Sequence, residues 1–262
     1  MNVVARPGLA GRVGRKAYTL FSAGFFSTIG RLINDSAPYM VQYRPDFHKS
    51  NANFSEYKTF SKAWMHGNAR RNGGDYSRFY MLYQNVKQVL SEGVEGDVAE
   101  LGVFKGNSAY MLAKLAAPYN RSMFLFDTFA GFDERDFKNE DTNRMKHHFS
   151  DTSLGGVQNL VGTANSIYVV GYFPQSIEGK TIPDKFAIVH LDADLYEPMK
   201  AGLEYFYPRL SPGGALIMHD YASGEWPGTT RAVDEFFRDK IEKPVIIPDK
   251  SGTAVVRKAS TH

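Results

Sequence analysis

Five short apolar runs, DVAEL (97–101), SMFLF (122–126), SIYVV (166–170), FAIVHL (186–191) and GALIMH (214–219), recur along the chain with helical segments between them. The intervening stretches, among them SAYMLAKLAAPY, TSLGGVQNLV and EPMKAGLEYFYPRL, are long enough for right-handed crossovers, which makes the strands parallel neighbours in one sheet. After a last helical segment, TTRAVDEFFRDKI, the runs KPVIIP and GTAVVRK are joined only by a turn containing Asp249 and Gly252. Two successive strands with no helix between them form a hairpin and add an antiparallel strand. The fold class expected is therefore α/β: a doubly wound, seven-stranded, mostly parallel sheet with a C-terminal antiparallel hairpin.

The 262 residues suffice for one large core, and 31 basic against 28 acidic residues is too even a balance for nucleic acid as the main partner. With no cysteine in the chain, disulfides, thiolate metal sites and cysteine nucleophiles are excluded, so any metal must use oxygen or histidine. No apolar run reaches the roughly 20 residues of a membrane-spanning helix, and a cytoplasmic enzyme is expected. The segment GRVGRKAYTLFSAGFFSTIGRLIND places Tyr18, Phe21, Phe25, Ile29 and Leu32 at helical spacing. It reads as a packing or dimerisation helix, a basic helix on a membrane surface, or a signal peptide. Residues 1–75 are expected to form a helical and irregular N-terminal cap through which the chain forms a homo-oligomer, and residues 76–262 the regular domain. That domain opens with an amphipathic helix, RFYMLYQNVKQVLSEG, carrying Met81, Leu82, Val86 and Val89 or Leu90 on one face and ending at Gly93.

In such sheets the ligand lies beyond the carboxyl ends of the strands. The first strand is followed by ELGVFKGNSAYML, in which Gly102 and Gly106 are separated by Val103, Phe104 and Lys105. The middle glycine of a G-x-G-x-x-G pyrophosphate loop is missing, which disfavours a dinucleotide. Glu100 suits instead a cationic end, while the helix start at Asn107 and Ser108 can meet a carboxylate, and a ligand with both is an amino acid. After the second strand Asp127, with Thr128 and Phe129 beside it, stands where an acid takes ribose hydroxyls. An amino acid joined to a nucleoside is S-adenosylmethionine. Each motif alone is weak, and both glycines could merely form a tight strand-to-helix turn.

The segments GDVAELGVFKGNSA, FLFDTFAGF, FSDTSLGGV, VGYFPQSI, HLDADLYEPMKAGLEYFYPRLSPGGALIMHDY and TRAVDEFF closely resemble the macrocin O-methyltransferase family, bacterial enzymes that methylate hydroxyl groups, often on sugars of antibiotics and other glycosides. The resemblance spans residues 76–240 and implies a Rossmann-like class I methyltransferase fold, S-adenosylmethionine as donor and a saccharide acceptor. A more distant likeness, through ELGVFKGNSA and the acid closing the fourth strand, is to catechol O-methyltransferase.

The methyl donor needs no metal, so a divalent cation would serve the acceptor by acidifying its hydroxyl. Asp192 closes the fourth strand and Asp220 the fifth, a natural cradle for a hard cation. The resemblance implies magnesium held by the first acid of LDxD and a pair of acids after the fifth strand; here that pair reads His219 and Asp220. Imidazole suits zinc, manganese, iron or nickel better than magnesium. His219 is thus a ligand, a group acting through water or on the acceptor proton, or a core histidine. The family also implies Asp192 as a candidate base, while the lysine that catechol methyltransferases place three residues later is replaced by Leu195. Asp194 and Glu197 form a D-x-x-E helix-capping pattern with Pro198 in the first turn, so Asp194 is expected to cap rather than to touch cofactor or metal.

Tyr172 and Phe173 follow the third strand, where adenine would lie, though both could be core. His147 and His148 belong to a loop expected over the acceptor, and Trp226 is either a sugar-stacking wall or ordinary packing. Two rival readings are an NAD-dependent dehydrogenase on the same fold and a methyltransferase-like scaffold without activity.

Overall fold

The computed structural model describes residues 59–64, 75–142 and 148–260. The expected cap and its oligomerisation helix lie outside the described residues, apart from a helical segment at 59–64 and Asp75. Among the described residues no helix is long and apolar enough to cross a membrane.

Helix α1 (Tyr76–Ser91) is capped by the Asp75 carboxylate, which accepts from the Arg78 amide. Then follow β1 (Asp97–Leu101), α2 (Asn107–Ala116), β2 (Met123–Asp127), α3 (Leu154–Val161), β3 (Ser166–Val170), β4 (Phe186–Leu191), α4 (Tyr196–Arg209), β5 (Leu210–Met218), α5 (Pro227–Phe237), β6 (Val245–Ile246) and β7 (Ala254–Arg257). The sheet order is β3-β2-β1-β4-β5-β7-β6. The first five strands pair in parallel, and β7 enters antiparallel to β5 and β6. The doubly wound sheet with its terminal hairpin is thus present.

Alternation along the strands sends side chains to two cores. On one face Val98, Met123, Leu125, Ile188 and Ile217 pack with Leu82, Val86 and Val89 of α1 and Leu112 of α2. On the other, Leu101, Phe126, Val189, Leu191 and Met218 pack with Met199, Leu203 and Phe206 of α4 and Val233 of α5. Each such large side chain contributes on the order of 2 kcal/mol on burial.

Several boundaries differ from the sequence pattern, those of β5 and α5 among them. Strand β5 begins at Leu210, directly after α4, because Phe186 pairs with Leu210 and Ile188 with Ala215. An irregularity absorbs the SPGG stretch that reads as a turn in the sequence. Helix α5 begins at Pro227, whose fixed φ suits a first helical position.

Candidate active site

Strand order reverses at β1, whose neighbours β2 and β4 lead to opposite halves of the sheet. A cavity of about 740 Å³ opens there, beyond the carboxyl ends of the strands, the place such sheets bind ligands.

At the β1 end, backbone shape dominates. Gly102 has φ +87, and a Cβ there would lie 2.0 Å from the Asp192 carbonyl oxygen, so only glycine lets the loop pass β4. Gly106 has φ +81 and caps α2, with Val157 Cγ1 2.9 Å from where its Cβ would be. Asp127 Oδ2 accepts from the amides of Val103 (2.6 Å) and Phe104 (2.9 Å), and Oδ1 from that of Phe129 (2.6 Å). Thr128 Oγ1 also stands 3.4 Å from Oδ1, so Asp127 fixes the loop while bordering the cavity. Gly102, Phe104, Asn107, Ser108 and Thr128 also line it, whereas Gly106 and Phe129 stand behind. The Asn107 side-chain amide donates to the Trp64 carbonyl (3.4 Å), bringing the 59–64 segment beside the start of α2.

Glu100 does not stand where an ammonium group could reach it. It is fully buried, absent from the cavity lining, and 2.7 Å from Nδ1 of His190, its register partner on β4. A strand-end acid two residues before the loop glycine points into the α1/α2 core unless the strand ends earlier, and a buried carboxylate there needs a polar partner. The histidine inside the otherwise apolar FAIVHL was the available signal.

Beyond β3 the two aromatics part company. Tyr172 donates its hydroxyl to Asp136 Oδ1 (2.6 Å), with the Arg135 guanidinium 3.7 Å over its ring. Burial pushes the Asp136 carboxyl up to about 6. Phe173 stacks on Phe206 at 5.6 Å and 11° within the core and also lines the cavity.

Ionised groups dominate at the β4 and β5 ends. One ligand atom each from Asp192, His219 and Asp220 lie within 4.8 Å of one another. His219 Nδ1 is 2.8 Å from Asp192 Oδ1 and 2.7 Å from Asp220 Oδ2. Neither approach has hydrogen-bond geometry, and both ring nitrogens are buried without a bonded partner. Asp192 Oδ2 accepts from the Arg78 guanidinium at 2.5 Å. Burial opposes ionisation of Asp192, yet the charges of His219 and Arg78 hold its carboxyl well below the usual range. Burial and Arg78 oppose the His219 imidazolium, but Asp192 and Asp220 outweigh them and raise it to about 9.

Asp194 is a correction. It does not cap α4: Leu195 holds the cap position, and the Tyr196 amide donates to Asp141 Oδ2 at 2.8 Å. At φ +61 the chain turns Asp194 inward, where burial, then Asp220 and Asp192, push its carboxyl well above the usual range. It lines the cavity with the other acids. Sequence reasoning also missed Arg78, Asp136 and Asp141. Arg78 lies 114 positions from Asp192, and no local pattern marks such a pair.

Trp226 is buried and borders the cavity, its ring 5.9 Å from Phe132 and 6.2 Å from Phe149. His148 also lines the cavity; His147 lies outside the described residues.

Residues 65–257 match a family described as macrocin-O-methyltransferase (TylF). The mycinamicin III 3''-O-methyltransferase of Micromonospora griseorubida is 29% identical over 212 residues, 70% of this chain and 81% of that protein. The 8-demethyl-8-(2,3-dimethoxy-alpha-L-rhamnosyl)-tetracenomycin-C 4'-O-methyltransferase of Streptomyces olivaceus is 33% identical over 150 residues, 52% of this chain and 57% of that protein. The solved structure of the O-methyltransferase NovP superposes with a TM-score of 0.60 at 22% identity, over 70% of this chain and 80% of that one, a likeness of fold.

Proposed function

The chain belongs to the macrocin-O-methyltransferase family, and on that premise we propose that it transfers the methyl group of S-adenosylmethionine to a hydroxyl of a sugar, in a glycoside or oligosaccharide. One observation carries this reading: a single cavity joins the Gly102–Ser108 loop and Asp127 to the Asp192, His219 and Asp220 cluster. The named activities of the two relatives, 3''-O-methylation of mycinamicin III and 4'-O-methylation of a rhamnosyl tetracenomycin, support the acceptor class. The family match speaks against the dehydrogenase, and the assembled acid cluster against an inactive scaffold.

The donor's carboxylate meets the amides and side chains at Asn107 and Ser108, where the helix start favours an anion. Its ribose meets Asp127, and its adenine the Tyr172 side of the cavity. Glu100 has no place in this set.

Asp192, Asp220 and His219 would fit a divalent cation, because two acids and an imidazole with no hydrogen-bonded ring nitrogen converge within ligand range of one another, His219 then giving up the proton that the two carboxylates otherwise favour. The mixed oxygen and nitrogen donors suit manganese, iron or zinc at least as well as magnesium. Such a cation supplies Lewis acidity to the acceptor hydroxyl. Asp192, paired through Oδ2 with Arg78 and lining the same cavity, would serve as a weak base toward the acceptor hydroxyl. Asp194, inclined to the protonated form, limits the repulsion between neighbouring acids. The aromatic group of buried Trp226 with half-buried Phe132 and Phe149 would screen the acceptor side from water.

Incubating the protein with methyl-labelled donor and a cell extract, then identifying what carries the label, tests the reading. An O-methylated saccharide is expected; label on nitrogen or carbon, or on a compound without sugar, would overturn it.

A further inference from the structure

Arg78 is a buried cation set among the acids of the site. It comes from α1, before the sheet begins, and its side chain is nine-tenths buried, with 10% exposure against 19% for its partner Asp192. The guanidinium reaches Asp192 Oδ2 at 2.5 Å and lies 5.5 Å from the Trp64 ring, while its Nε is buried with no bonded partner. Asp192 Oδ1 points the other way, to His219. The carboxylate that heads the cation cluster is therefore divided between a fixed organic cation and the space for a metal.

We propose that Arg78 is a positioning residue that shares Asp192 with the divalent cation, guanidinium on Oδ2 and metal on Oδ1, and that it thereby keeps Asp192 monodentate and holds metal affinity down. This rests on the methyltransferase reading of the same site. Three consequences follow from geometry and charge. A carboxylate pinned through one oxygen cannot rotate to chelate with both, so the cation retains room for an acceptor. A positive guanidinium a few ångströms from a dication repels it, and even partial screening leaves an effect of about tenfold in affinity. Burial makes the pairing strong without exposing it to salt. Arginine suits this task because its rigid fork fixes the direction of the carboxylate, which a lysine ammonium does not.

The test uses the full chain and two probes, Mn2+ followed by electron paramagnetic resonance and S-adenosylhomocysteine followed by calorimetry. Arg78→Met is expected to bind Mn2+ about tenfold more tightly than the parent and S-adenosylhomocysteine within about twofold of it. Arg78→Lys is expected to fall between them. Equal or weaker Mn2+ binding in Arg78→Met with nucleoside binding intact overturns the proposal, as does failure of both proteins to take up Mn2+. If Arg78→Met loses nucleoside binding through misfolding, Arg78→Lys decides, and a Mn2+ affinity equal to the parent's overturns it. A parent that binds no S-adenosylhomocysteine defeats the methyltransferase reading instead, so the two failures are distinct.

Discussion

Strand β4 carries His190 and, just past its end, Asp192, two positions apart and each half of an acid–histidine pair. Glu100 and His190 are both fully buried at 2.7 Å, sealed in the core beneath α1 and α2. Asp192 and His219 are as close, at 2.8 Å, but face the cavity with Arg78, Asp194 and Asp220 around them. The inner pair meets through one atom of each residue, leaving Glu100 Oε2 and His190 Nε2 buried without a bonded partner, and it does not reach the cavity. The outer pair lies on the cavity among further charged groups, where a bound ligand can compete for its atoms. Two acid–histidine pairs that share β4 thus divide by where the strand ends.

Substitutions should separate the two pairs. Asp192→Ala is expected to lower turnover by about a thousandfold while S-adenosylhomocysteine affinity stays near the parent's. Turnover near the parental rate would erase the distinction. Glu100→Ala should do the reverse, leaving His190 buried without its acid at a cost of roughly 3 kcal/mol in urea unfolding. A selective loss of donor affinity in a stable Glu100→Ala protein would restore its role at the ammonium.

Asp127→Ala tests the neighbouring strand end, where bonds to backbone amides fix the loop. Donor affinity is expected to fall by about tenfold to a hundredfold by calorimetry, and an unchanged dissociation constant would remove the ribose assignment. His219→Asp should sharpen the outer pair's role. An all-oxygen donor set is expected to shift preference from manganese toward magnesium by a few fold, and an unmoved ratio would make His219 no ligand.

The smallest effect belongs to Asp136. Its folded pKa of about 6 exceeds the unfolded value because burial disfavours the charge. Protonation therefore stabilises the fold: the contribution is complete below about pH 4 and is lost as pH rises through about 6. Asp136→Asn, which still offers Tyr172 an acceptor, should flatten that slope in urea titrations at a series of pH values. A slope equal to the parent's would place the titration elsewhere.

Much of this was legible in the chain. The strand candidates at 97–101, 166–170 and 186–191 match β1, β3 and β4 because apolar runs bounded by turn residues admit one strand length. Gly102 and Gly106 announced a turn that only glycine allows. Asp127, Asp192 and Asp220 were readable because each closes a parallel strand, a position that topology places at the cavity. Glu100 and Asp194 were misread for a common reason: a side chain's direction at a strand end depends on the residue at which the backbone turns, and φ +61 at Asp194 is not written in D-x-x-E. The cap of α4 comes instead from Asp141, 55 positions from Tyr196.

The sequence by itself therefore determined the order of elements, the parallel sheet and the strand ends where chemistry would gather, since periodicity and glycine placement are local properties. Only the tertiary structure decided which charges meet. Arg78 reaches Asp192 and His190 neutralises the claim on Glu100 through packing of α1 and β4 against β1, and ion pairing across such distances depends on the fold rather than on spacing along the chain.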